Sequence, residues 1–64
     1  MSKLYTTHIK FHKDDIGICR RATVTTHFAR REMLSPYVEA CRKHKQTVDI
    51  YASEDCVITE VLLP

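Results

Sequence analysis

A chain of 64 residues that is 44% apolar and 28% charged, with a net charge of +2, is expected to fold as a single small α+β domain over residues 1–64 rather than stay disordered. Gly17 is the only glycine, and Pro36 and Pro64 are the only prolines, so no glycine-rich loop can cradle phosphate and nucleotide hydrolysis is excluded. The first ten residues lack the apolar segment of a secretory signal and no run approaches a membrane span, so a cytoplasmic location is expected, with Cys19, Cys41 and Cys56 as free thiols.

From Lys3 to Lys13 the sequence alternates. Tyr5, Thr7, Ile9 and Phe11 fall on one side and Thr6, His8, Lys10 and His12 on the other, the period of a half-buried strand. A second alternating run sets Ile18, Ala22, Val24 and Thr26 against Cys19, Arg21, Thr23 and Thr25. Between them, Asp14-Asp15-Ile16-Gly17 has the chemistry of a four-residue loop, because Asp opens type I turns and Gly17 can take a positive φ. Pairing Lys13 with Ile18 places Phe11 opposite Arg20, Ile9 opposite Ala22, Thr7 opposite Val24 and Tyr5 opposite Thr26. The apolar side chains then share one face, and Arg20 is a misfit that must snorkel.

Residues 28–33 can be read as a prolongation of this strand or as a short helical turn; the strand followed by a bend is favoured. From Leu34 the period lengthens, with Leu34, Tyr37, Val38 and Cys41 recurring as one helical stripe. Ser35 as N-cap, Pro36 in the first position and Arg42, Lys43, His44 and Lys45 at the far end predict a helix from Pro36 to Lys45. Beyond Gln46 alternation returns. Val48, Ile50 and Ala52 oppose Asp49 and Tyr51, and Val57 to Leu63 forms the last strand. A turn at Ser53-Glu54-Asp55-Cys56 pairs Ala52 with Val57, Ile50 with Thr59 and Val48 with Val61, and puts Tyr51 opposite Ile58 on the other face. The order ββαββ predicts an antiparallel sheet with one helix packed on its apolar face.

Charge is unevenly spread. Residues 1–31 carry seven Lys or Arg against Asp14 and Asp15, a balance of +5, whereas residues 32–64 carry three against six acids, a balance of −3. Such a dipole steers a partner of opposite pattern unless the two halves interleave in the fold.

Three zinc donors meet in the inferred register: His8 and His12 share a face and Cys19 stands opposite His12, with water or His27 of the same face available as a fourth ligand. Structural zinc sites carry closely spaced Cys pairs, and this chain has none, so the simpler reading is a polar outer face with no metal and no cofactor. Cysteines and histidines are also the parts of a nucleophilic site, yet little chain remains to build a water-excluding pocket, and Asp14-Asp15 and Glu54-Asp55 are adjacent turn acids rather than a working pair. No enzyme is expected.

The candidate binding residues are His8, Lys10, His12, Arg21 and His27 on the outer face of the first hairpin, Arg30 and Arg31 beyond its end, and Tyr51, the one outward ring. Tyr51, Ile58 and Leu62 form an apolar group on the same side, as at protein interfaces, and open sheet edges can pair with another strand. The expectation is a small stand-alone protein-binding modulator or inhibitor of a larger enzyme, including nucleic-acid-processing ones, with a homodimer as a further option and no membrane partner. The alternative is direct nucleic-acid binding through the basic face. Against it, Tyr5, Phe11 and Phe28 point to the core side and cannot stack on bases. In length and in its strand-strand-helix-strand order the chain resembles the small host-takeover proteins of bacteriophages, including the type that inhibits bacterial RNA polymerase. The likeness is one of overall plan, carries no signature residues and implies a phage or mobile-element origin.

Overall fold

The computed structural model describes residues 4–64; the expected start of the first strand at Lys3 lies outside them. The elements are β1 (Tyr5–Lys13), β2 (Cys19–Phe28), a 3-10 turn (Arg31–Met33), α1 (Leu34–Lys43), β3 (Thr47–Ser53) and β4 (Cys56–Leu62). The strands form one antiparallel sheet in the order β1-β2-β4-β3, and α1 packs on β3 and β4. This is the expected α+β plan. Among the described residues no helix is long and apolar enough to cross a membrane.

The first hairpin keeps the expected faces but in a register shifted by two. The Asp14 N–H donates to the Ile18 carbonyl at 2.9 Å and the Gly17 N–H to the Asp14 carbonyl at 3.0 Å, with Gly17 at φ 84°. Asp14 Oδ1 also accepts from the amides of Ile16 (3.0 Å) and Ile18 (2.9 Å). Those bonds tighten the loop to Asp15-Ile16-Gly17, a turn closed by a left-handed glycine, so Lys13 pairs with Cys19 rather than Ile18. A slip of one residue would turn every apolar side chain to the wrong face. A bulge at Arg20 supplies the second slip. His12 then pairs with Arg21, Phe11 with Ala22, Ile9 with Val24, Thr7 with Thr26 and Tyr5 with Phe28. Arg20 does not face Phe11; its Nε lies 3.7 Å from Asp14 Oδ2.

Strand β2 stops at Phe28, and residues 31–33 form the 3-10 turn instead of the favoured strand extension. Arg31, Glu32 and Met33 lack β-branching and run directly into α1, which begins two residues before Pro36 and ends at Lys43 instead of Lys45. Met33, not Ser35, holds the N-cap position, and no side chain caps it. Pro36 remains tolerable because its missing N–H falls in the first turn, where no helical acceptor exists. Leu34, Tyr37, Val38 and Cys41 are half-buried while the other residues of α1 are exposed, so the apolar stripe is the seat of the helix.

The described residues that are buried are Ala22, Thr26 and Phe28 on β2 and Val57 and Thr59 on β4. The Phe28 ring lies 5.0 Å from that of Tyr37, edge to face, and 6.3 Å from that of Tyr5. Thr26 Oγ1 lies 3.2 Å from the Tyr37 hydroxyl and 3.4 Å from Thr7 Oγ1, and Thr59 Oγ1 donates to the Val24 carbonyl at 3.5 Å. The buried hydroxyls therefore carry no desolvation penalty for an unmade bond.

One helix about 10 Å across spans two strands spaced about 4.8 Å apart, not four. Because α1 sits on β3 and β4, the helix-side residues of β1 stay uncovered: Tyr5 is 56%, Ile9 50% and Phe11 61% exposed. Their expected burial beneath the helix is corrected; of the three rings assigned to the core side, only Phe28 is buried. On the other edge, an irregularity between Thr47 and Asp49 puts Thr47 rather than Val48 opposite Val61, and Val48 is half exposed. Val57→Ala, at a side chain with no exposure, is expected to cost about 2 kcal/mol and lower Tm by roughly 10 °C, whereas Val48→Ala shifts it by less than about 3 °C in circular-dichroism melts.

Candidate functional site: the uncovered face of the sheet

Among the described residues no element lies on the face opposite α1, and the strand pairings fix how its side chains line up. Reading across β1, β2, β4 and β3, one row is Lys10, Thr23, Glu60 and Asp49, and the next is His8, Thr25, Ile58 and Tyr51. His12, Arg21 and Leu62 form a row toward the first turn, and Thr6, His27, Cys56 and Ser53 one toward the opposite end. His8, Lys10, His12, Arg21, His27 and Tyr51 thus share this face, as their alternation implied. The sheet order keeps the two halves of the chain apart, so cationic groups lie on the β1–β2 side and Glu60 and Asp49 on the β4–β3 side.

Four of these side chains are linked. Thr23 Oγ1 donates to Glu60 Oε1 at 2.8 Å, and His12 Nε2 lies 2.6 Å from the same hydroxyl. A hydroxyl has one proton, and Thr23 gives it to Glu60, so His12 must be the donor and Nε2 carries hydrogen. Glu60 Oε2 is 3.7 Å from Arg21 Nε, with the carboxylate side chain 22% exposed. Glu60, which no sequence motif marked, is therefore the hub of the face; it is reached only through the long-range pairing of β2 with β4.

The expected convergence of His8, His12 and Cys19 does not form. The tightened loop moves Cys19 opposite Lys13, and His12 faces Arg21 with Nε2 engaged as a donor. No group of three metal-ligating side chains comes together among the described residues. Arg30 and Arg31 are exposed, but the length of β2 puts them more than about 20 Å from Arg21, and Arg31 shares a shallow hollow with Glu54 and Asp55. The structure thus divides the expected basic residues between the two ends of the hairpin. On the β4–β3 side, Tyr51 is 59% exposed opposite half-buried Ile58, and Leu62, 47% exposed, lies two rows away on the other side of Glu60.

No family model, curated protein or solved structure matches the chain. Glu60→Ala, which leaves Thr23 and Arg21 without their acceptor, is expected to lower Tm by about 5 °C, equivalent to about 1 kcal/mol; Arg21→Ala, which breaks only the more exposed ion pair, shifts it by less than half as much.

Proposed function

We propose that the chain is a protein-binding modulator that docks through the uncovered sheet face onto a larger protein and acts by occlusion, without a catalytic step of its own. The observation that supports this reading is the apolar pair of exposed Tyr51 and half-buried Ile58 at the β3–β4 side of an uncovered face whose β1–β2 side carries Lys10 and Arg21, with Leu62 exposed beyond Glu60. An aromatic ring and neighbouring aliphatic side chains supply the desolvated centre of an interface, and flanking charges set its orientation. The complementary surface is apolar on the side that meets β3 and β4 and acidic on the side that meets β1 and β2. The phage-like plan favours a bacterial nucleic-acid-processing enzyme in the cytoplasm as its owner.

A second reading, direct contact with nucleic acid, draws on the common face of His8, Lys10, His12 and Arg21. Glu60 and Asp49 stand in the row of Lys10, where a phosphate backbone crossing the sheet would meet them, and Tyr51 is the lone outward ring of that face. The test is capture on the immobilised chain from bacterial lysate with and without nuclease. A stoichiometric protein that survives nuclease and falls at least tenfold with Tyr51→Ala is the expected result. Recovery of nucleic acid alone, with affinity that drops steeply with salt, weakens on Arg21→Ala and rises on Glu60→Lys, overturns it in favour of the second reading.

A further inference from the structure

We propose that β1 pairs with β1 of a second copy about a two-fold axis, making one eight-stranded sheet whose two helices flank a shared apolar strip. β1 is an outer strand of nine residues. Its hydrogen-bonding phase follows from one contact: the Ala29 N–H donates to the Leu4 carbonyl at 2.9 Å. Bonded and non-bonded pairs alternate along an antiparallel ladder, so the even residues of β1 turn their amides toward β2. Tyr5, Thr7, Ile9 and Phe11 consequently present free N–H and C=O groups at the sheet edge. The same residues carry their side chains on the helix side, where α1 does not cover them.

An axis perpendicular to the sheet keeps both helix sides on the same side, so strip meets strip. With the axis at His8, Phe11 faces Tyr5 of the second copy and Ile9 faces Thr7, every one a hydrogen-bonded pair, while Lys10 faces a threonine, Thr6 of the second copy. Moving the axis to Ile9 would oppose Lys10 to His8 and Tyr5 to Lys13, setting cation against imidazole and splitting the aromatic pair. The register at His8 is the one assigned. The other outer strand, β3, is shorter and irregular between Thr47 and Asp49, features that blunt edge pairing. A β1-to-β3 contact would also use different surfaces on each copy and grow without closing.

Size points the same way. Tyr5, Ile9 and Phe11 on the helix side and Leu4 on the other side of the strand, all half exposed or more, offer with the strand edge at most roughly 500 Å² per copy, or about 1,000 Å² in all, the lower bound of a specific interface. The buried apolar residues among those described are Ala22, Phe28 and Val57, a small core for which a second subunit is a usual support. The uncovered face stays free in both copies and points the same way, doubling the proposed docking surface.

The purified chain, examined by sedimentation equilibrium at about 100 µM, is expected at twice its 7.5 kDa, and Ile9→Asp at the single mass with its circular dichroism retained. His8→Cys brings two thiols into a non-bonded pair with Cα atoms about 4.5 Å apart, within disulfide range, so mild oxidation should link the copies. Lys10→Cys places them roughly 14 Å apart and should link no better than the parent chain with its native cysteines. A parent that sediments as a monomer, species that grow continuously with concentration, or equal linking of the two variants overturns the proposal. If Ile9→Asp does not fold, the parent mass and the linking pattern still decide. None of these measurements involves a captured partner, so a monomeric result leaves docking through the sheet face standing.

Discussion

Seven consecutive pairs, from Arg21 with Leu62 to His27 with Cys56, stitch β2 to β4 and join two hairpins that are separated by a helix in the chain. An isolated hairpin is marginal in water, and its apolar face gains little until a second layer covers it. The junction sets β2 beside the strands that carry α1, which is that layer. Every described buried residue lies on these two strands, and Tyr37 reaches them from α1 through both its ring and its hydroxyl. The helix seat, the aromatic chain from Tyr5 to Tyr37 and the Thr23–Glu60 bond all follow from this pairing.

Which side of each strand is apolar was legible in the sequence because alternation has period two and survives any even shift. Register was not legible for the same reason: Ile9 faces the core side whether it lies opposite Ala22 or Val24. Half of the shift has its cause in Asp14, whose carboxylate accepts from two loop amides, and the other half is the bulge at Arg20; composition alone announces neither. The helical stripe of Leu34, Tyr37, Val38 and Cys41 was readable, while its start was not, since Ser35 and Pro36 suit a cap and a first position but fit equally inside a first turn fed by Arg31 to Met33.

The candidate face was legible in its membership and not in its electrostatics. His8, Lys10, His12, Arg21 and Tyr51 were assigned to one side by alternation within hairpins. Glu60 joins them through contacts between hairpins, 37 residues from Thr23, and changes a basic surface into one graded from cationic to acidic. The limited reach of one helix was a matter of widths rather than of sequence pattern. It leaves Ile9 and Phe11 on the expected side yet open to solvent.

The tight first loop and the bulge at Arg20 each invert the hairpin and together restore it. Neither is free to vary alone. A single-residue insertion in the loop, or deletion of Arg20, would send Ile9 and Phe11 across to the side of the histidines, so length changes in this stretch are tolerated only as compensating pairs. In evolutionary terms the two irregularities form one heritable unit, and related chains should carry both or neither.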